Sequence, residues 1–368
     1  MSAKIIQIVP RLPPSVSGVG DYAHLLARQL RDDHDIHSSF LVGDPTWDGP
    51  SKLNGLNVER SASQEANELE HLLRKLGAAT VLLHYVGYGY HQRGCPLWLL
   101  RGLESWKKAG ANHRLIVMFH ELFASGMPWR SSFWTSPLQR RLARSLALLS
   151  DRSITNLADS GEILARMTGR PKSSFAVLPV FSNVGEATSC AGLYDRSSRL
   201  VVFGSAEWRR QAYHDHRATL ALGCDALGID SIVDIGPPLS PSPEFSVPVI
   251  ETGVLAAPAI SRHLAGARAG FFAYPAAYLG KSSIFAAYAA HGLLPITYGE
   301  NSDDNQDGLC AGKHFLAFNE PGRQDQQNWP AIAQAAAQWY AEHRLKRQAQ
   351  RYAEIFTAGF HEREHVTA

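Results

Sequence analysis

The sequence predicts an α/β protein built from two Rossmann-like, doubly wound parallel-sheet domains. Three observations carry this expectation. Short, nearly wholly apolar runs rich in β-branched residues recur, as in strands buried on both faces of a parallel sheet. Helical stretches separate those runs. The alternation breaks once, at the Pro- and Asn-containing VLPVFSNVGE (177–186), and then resumes. A length of 368 residues suits two domains.

In chain order, the first series reads as strands over Ile5–Val9, Ser39–Val42, Thr80–His84, Leu115–Phe119 and Ser153–Leu157. After the first strand comes a helix over Asp21–Arg31, with Ala23, Leu26, Ala27 and Leu30 on one face. The second series reads as strands over Leu200–Phe203, Ser231–Ile235, Val247–Ile250, Gly270–Ala273 and Leu294–Thr297, with PPLSPSP (237–243) as a surface loop. Trp329–Phe356 is Ala- and Gln-rich and reads as helix broken near Glu342 and His343. The expected division is residues 1–181, residues 182–345 and a terminal helix in 346–368.

Composition narrows the function classes. A net charge of +2 is too balanced for a nucleic-acid binder, which concentrates basic excess over a domain. The four cysteines, Cys95, Cys190, Cys224 and Cys310, lie far apart and form neither zinc-site pairs nor a disulfide scaffold. No apolar run approaches the 18 residues of a membrane span, and KIIQIV opens a strand directly, so the expectation is a cytoplasmic protein, at most peripheral to the inner face of a membrane.

Within SGVGDYA (17–23), the stretch GVGDYA satisfies G-x-G-x-x-G/A, with Asp44 placed to serve as the ribose-binding acid of a dinucleotide fold. On that reading the chain would be a nicotinamide oxidoreductase. Two features oppose it. RLPPSVS inserts a loop between the strand end and Gly18, and Asp21, read as the helix N-cap, would repel a diphosphate.

A Pro-containing loop running into Gly18, Val19, Gly20, Asp21 and Tyr22 before a helix resembles the first loop of GT-B glycosyltransferases, specifically the retaining family-4 group. The resemblance runs along the whole chain. His120 and Glu121 close a strand where that family often places a His beside the donor sugar, and LPVFSNVGE is similar to its Pro-Asn hinge. VVFGSAEWRR is similar to the strand and loop that carry cationic diphosphate ligands, and IFAAYAAHGLLPIT to the family's helix and strand ending in Gly-x-Pro. The resemblance implies GT-B architecture: two Rossmann-like domains facing each other across a cleft, with the terminal helix returning to the first. It also implies a UDP- or GDP-sugar donor, transfer with retention, a glycan or lipid-linked acceptor, and a place in polysaccharide or glycoconjugate biosynthesis.

In such a transfer negative charge grows on the departing diphosphate. No D-x-D closes a strand convincingly; Asp303 and Asp304 adjoin in a polar loop, and His214, Asp215 and His216 lack the spacing of a ligand pair. The expectation is therefore no metal, with cationic side chains and helix N-termini taking the charge. Arg209 and Arg210 follow a second-domain strand, where α/β sheets bind ligands. Gly280, Lys281, Ser282 and Ser283 precede a helix, where free N–H groups, hydroxyls and an ammonium converge. A solvated Arg pair and a plain N-cap serine are the alternatives. GKSS is not a P-loop, because Pro275 occupies the first glycine position. His120 is assigned to the donor sugar and Glu121 to orienting a hydroxyl or the imidazole, with an imidazole pKa near working pH.

The family commonly carries two glutamates eight residues apart in the second domain, the second gripping the ribose. Here the matching positions are Leu279 and Ala287, or Tyr278 and Ala286 if shifted by one. That departure fits a GT-B-like chain that binds or assembles without catalysing, which stands as the alternative.

Two stretches read as acceptor-side. HYVGYGYHQRGCPLW carries Tyr85, Tyr88 and Tyr90, which suit stacking on sugar rings or ordinary packing. Leu122–Ser150 contains no acid and carries Trp129, Arg130, Phe133, Trp134, Arg140, Arg141 and Arg144, a composition for an anionic lipid surface or lipid-diphosphate acceptor. An ordinary helix with Leu138, Leu142, Leu146 and Leu149 buried accounts for it equally.

Overall fold

The first apolar run forms β1 (Ala3–Val9), whose last five residues are all buried. The computed structural model describes residues 3–124, 131–299, 307–318 and 328–358. The chain divides into two units, Met1–Leu178 with Leu345–Ala368, and Pro179–Arg344.

In unit 1, β1 leads to α1 (Gly18–His34), β2 (Ile36–Val42), β3 (Lys52–Leu53), β4 (Leu56–Arg60), α2 (Ala66–Leu76), β5 (Thr80–Tyr85) and the one-turn α3 (Gly87–Tyr90). There follow α4 (Leu97–Lys108), β6 (Arg114–Phe119), α5 (Ser131–Leu149), β7 (Arg152–Thr155), α6 (Ala158–Thr168) and β8 (Phe175–Val177). The eight strands lie in the order β3-β4-β2-β1-β5-β6-β7-β8, parallel except for the β3–β4 pair. β1 and β5 are neighbours in register, Ile8 opposite Leu83, so the chain reverses its direction of travel across the sheet between them. One face packs Ile6, Ile8, Val81, Leu83 and Tyr85 against α2, α4, α5 and α6, with Trp106 contributed by α4; the other packs Val9, Phe40 and Val42 against Ala23 and Ala27 of α1.

Unit 2 runs β9 (Ser197–Phe203), α7 (Ala206–Tyr213), α8 (Arg217–Leu227), β10 (Ser231–Ile235), β11 (Val249–Glu251), α9 (Ala257–Gly266) and β12 (Ala267–Phe271). It continues through a 3-10 stretch at Ala276–Lys281, α10 (Ser283–Ala290), β13 (Leu294–Tyr298), β14 (Leu316–Phe318) and α11 (Trp329–Ala341). Its six strands are all parallel, ordered β11-β10-β9-β12-β13-β14. Numbered within the unit that is 3-2-1-4-5-6, the order of dinucleotide-binding folds, with the reversal between β9 and β12. α10 is apolar all round because every residue from Phe285 to Ala290 is buried, under α11 on one side and Phe272 on another.

The chain breaks at Glu342 and re-enters unit 1 as α12 (Leu345–Thr357), which lies along α1. Its buried Gln348, Ala349, Tyr352 and Phe356 repeat at helical spacing. Tyr22 donates its hydroxyl hydrogen to Tyr352 at 3.3 Å, and Arg114 Nη1 donates to the Phe356 carbonyl at 2.6 Å. No helix among the described residues is long and apolar enough to cross a membrane.

Candidate active site

Parallel α/β sheets bind ligands at the carboxyl ends of their strands, where the strand order reverses. Here those places are the ends of β1 and β5 in unit 1, and of β9 and β12 in unit 2. The sequence candidates gather at both.

In unit 1, His120 directly follows β6, only 8% exposed, with its backbone N–H bonded to the Tyr85 carbonyl at 3.0 Å. Its Nε2 lies 3.1 Å from Nδ1 of His84, whose Nε2 lies 2.8 Å from Oε1 of Gln7. Gln7 Nε2 donates to Ser38 Oγ at 2.8 Å. A line of polar side chains thus crosses β2, β1, β5 and β6 inside an otherwise apolar layer. The two imidazoles stack at 24°, and Tyr22 of α1 stands edge-on to both, 5.9 Å and 5.2 Å between ring centres.

This setting corrects the expectation of a pKa near working pH. Burial pushes the His120 imidazole down from its ordinary 6.5 to about 3. Burial first, and then His120, push His84 well down too. Both rings are neutral at neutral pH. Between pH 6.5 and about 3 the unfolded chain takes a proton on His120 that the folded unit refuses, and His84 acts in the same direction. Their contribution to stability is therefore expected to be level above pH 6.5 and to fall as the pH drops through that window. In melts from about pH 8 to about pH 4, a His120→Gln variant should decline less steeply than the wild type. Parallel curves would show that folded His120 protonates as readily as a free imidazole. Glu121 does not orient the imidazole: it is exposed and makes no side-chain hydrogen bond among the described residues, while His84 holds the ring.

The loop after β1 reaches α1 at Ser17, not at Asp21. Ser17 is the N-cap, its hydroxyl accepting from the Gly20 N–H at 3.2 Å. Gly18, Val19 and Gly20 form the first turn, and Asp21 sits inside the helix, where burial pushes its carboxyl up to about 6. Gly20 is required by close approach, since a Cβ there would strike the Arg11 carbonyl, whereas a Cβ on Gly18 would meet nothing within 4 Å. Gly20 thus has a packing reason independent of any dinucleotide, and Gly18 has none of that kind. Asp44, the candidate ribose acid, bonds Arg11 at 2.5 Å and Thr46 instead.

In unit 2, adjacent arginines take opposite directions. Arg209 is 1% exposed: it pairs with Asp234, donates to the Pro237 carbonyl, and donates from Nε to the Gly204 carbonyl at 3.2 Å. Tyr213 donates to the other Asp234 oxygen at 2.9 Å. Arg209 is therefore corrected from a diphosphate ligand to a pin that ties α7 to the turns after β9 and β10. Arg210 points outward and pairs with Glu207 one turn back, at 2.7 Å.

Beyond β12, Ser282 caps α10 by accepting from the Phe285 N–H at 3.2 Å, as the plainer reading has it. Gly280 is buried, Ser283 begins the helix, and Lys281 is half-buried with Nζ 4.9 Å above the Tyr278 ring. Lys281 forms no ion pair among the described residues, and it lies two residues before Ser283, the first residue of α10. The missing glutamates also find their reason here: Leu279, Ala286 and Ala287 are at most 1% exposed, so carboxylates at those positions would enter the core.

The acceptor-side tyrosines separate. Tyr85 and Tyr90 are wholly buried, Tyr85 against Phe119 and Tyr90 donating to the carbonyls of Ile8 and His84, so packing accounts for both. Tyr88 is exposed, its hydroxyl accepting from Gln139 Nε2 at 3.2 Å. Trp129 and Arg130, with Asp303 and Asp304, lie outside the described residues. On α5, Leu142 and Leu146 are buried, but Leu138 is exposed, as are Trp134, Arg140, Arg141 and Leu148.

No protein-family model matches the sequence, and no curated protein matches it. Solved structures do match over the whole chain. Anabaena HepE, solved in complex with UDP-glucose, aligns over 96% of this chain and 99% of its own, with a TM-score of 0.63 at 13% identity. A glycosyltransferase from Rickettsia africae aligns over 97% and 98%, with a TM-score of 0.57 at 11% identity. The lipopolysaccharide outer core galactosyltransferase WaaB, in its apo form, aligns over 96% and 99%, with a TM-score of 0.55 at 11% identity. The chain has the GT-B fold.

Proposed function

We propose that this chain is a glycosyltransferase that moves a sugar from a UDP- or GDP-sugar to a glycan or lipid-linked acceptor, with retention and without a metal. The observation that carries the reading is the full-length likeness to HepE with UDP-glucose bound. Fold alone does not fix function, and the residues at the strand ends add chemical support. In unit 2, Lys281, Ser283 and the first N–H groups of α10 are the groups suited to a donor diphosphate, and in unit 1 His120 is the group suited to a sugar hydroxyl. The anomeric C–O bond breaks, the diphosphate leaves with the electron pair, and the acceptor oxygen bonds the anomeric carbon from the same face. The acceptor proton passes to a phosphate oxygen, so no protein nucleophile is needed. The exposed face of α5, with Trp134, Leu138, Leu148 and Arg141, docks the chain on an anionic membrane near a lipid-linked acceptor.

A panel of UDP- and GDP-sugars, with NAD as control, tests this through thermal stabilisation. One nucleotide sugar should raise the melting temperature. Lys281→Ala should leave the ligand-free melt nearly unchanged and weaken donor affinity about tenfold or more, the scale of one charge-assisted hydrogen bond. Arg210→Ala should have less effect, because its guanidinium is turned toward Glu207. Stabilisation by NAD alone would overturn the transferase reading. Binding of a nucleotide sugar without turnover on any acceptor would favour the non-catalytic partner reading that the missing glutamates motivate. Sedimentation of the same protein with vesicles containing anionic lipid tests the α5 face, and a Trp134→Ser variant that still pellets would remove it.

A further inference from the structure

Gln7 and His84 are fully buried polar residues in the two central strands of unit 1, and the function proposed above assigns them no task. A buried amide and imidazole cost desolvation that apolar residues of similar size would not. What they hold in place explains their presence. The line of contacts has a direction. Gln7 Nε2 donates to Ser38 Oγ, which leaves Oε1 as the acceptor facing His84 Nε2 at 2.8 Å. His84 therefore carries its proton on Nε2 and offers the Nδ1 lone pair to His120 Nε2 at 3.1 Å. That second contact is a hydrogen bond only if His120 also carries its proton on Nε2. Nδ1 of His120 is then a bare acceptor, and no group among the described residues donates to it. Tyr22, edge-on to both rings, hinders the ring flip that would exchange the nitrogens.

We propose that Gln7 and His84 are positioning residues that fix His120 in its Nε2–H tautomer, making Nδ1 a dedicated acceptor for a hydroxyl of the bound sugar. The tautomer rests on this geometry; the sugar contact rests also on the glycosyltransferase reading. A neutral lone pair in this place accepts a hydrogen bond from a hydroxyl and repels a carboxylate or phosphate oxygen. It thereby selects for an uncharged sugar at the contacted position.

Nitrogen NMR of the full chain, labelled in histidine, distinguishes a bare ring nitrogen from an N–H. The wild type should show Nε2–H and bare Nδ1 on both His84 and His120. Gln7→Leu removes the acceptor and should give mixed tautomers at His120. It should also lower affinity for UDP-glucose or GDP-mannose, whichever binds, about tenfold while leaving affinity for the free nucleoside diphosphate unchanged. Gln7→Glu keeps an acceptor facing His84 Nε2 and should retain the single tautomer. That variant keeps the test decisive if Gln7→Leu does not fold, since mixed tautomers at His120 in a folded Gln7→Glu whose His84 spectrum shows one bare nitrogen would contradict the relay. Nδ1–H on His120 in the wild type, or an unchanged single tautomer in Gln7→Leu, would overturn the proposal. Nucleotide binding with no gain from the attached sugar would overturn the sugar contact, while the spectra would still decide the tautomer.

Discussion

Arg209→Met should destabilise unit 2 by about 3–5 kcal/mol, the cost of leaving a buried carboxylate without its partner. Asp234 would keep Tyr213 as its one side-chain donor, and the carbonyls of Gly204 and Pro237 would lose theirs. Burial already pushes the Asp234 carboxyl up, with Arg209 opposing that push. Without the guanidinium, Asp234 should take a proton at higher pH. Amide exchange at Val201 of β9 and Val233 of β10 is the appropriate readout, because two-unit chains do not melt as one transition. Protection there should fall about a hundredfold or more. Arg209→Met with Asp234→Asn should recover part of the loss, since the pair is coupled. Unchanged protection in the single variant would mean that Arg209 does not pin the strand ends.

Tyr352→Ala should be nearly as costly in unit 1, about 3–5 kcal/mol for emptying a buried aromatic site. Tyr352→Phe keeps the ring and loses the contact with the Tyr22 hydroxyl, and should cost about 1 kcal/mol. The contrast separates packing from hydrogen bonding. Donor-sugar binding should follow the Ala variant down, because Tyr22 stands against both imidazoles. Urea titration with exchange at the Ile8 and Leu83 amides would read both variants. An Ala variant as stable as the Phe variant would show that α12 does not hold α1 through this ring.

The central strands are legible in the sequence because parallel strands buried on both faces become continuous apolar runs. Several outlying strands are not: β3 has two residues, the edge strands β8 and β14 three each, and β4, next to an edge, reads Leu-Asn-Val-Glu-Arg, more polar than apolar. The start of α1 lies earlier than its periodicity suggests because Gly18 and Gly20 weaken helix propensity, while the constraint at Gly20 comes from the Arg11 carbonyl, far from helix periodicity. At the site, His120 is visible at a strand end, but its partners escape a reading that looks only at strand ends. Their signal is present: Gln7 inside IIQIV and His84 inside VLLHY interrupt strands that are otherwise apolar. Neighbouring strand residues point to opposite faces, so His84 joining the polar line sends Tyr85 into the core. On α7, Arg209 turns inward and Arg210 outward, which adjacency in sequence could not divide between them.

The return of α12 to α1 makes unit 1 discontinuous along the chain, and this governs the order of synthesis. When the ribosome has made residues 1–178, the sheet of that unit is complete, yet the face of α1 that receives Tyr352 is still bare. It stays bare while all of unit 2 is translated, and only the emergence of Phe356 closes it. The half that begins first is thus the half that finishes last. Cutting the chain at the linker leaves an apolar surface on one fragment and its cover on the other. To express unit 1 alone, residues 345–358 would have to be rejoined to residues 1–178 by a new connection.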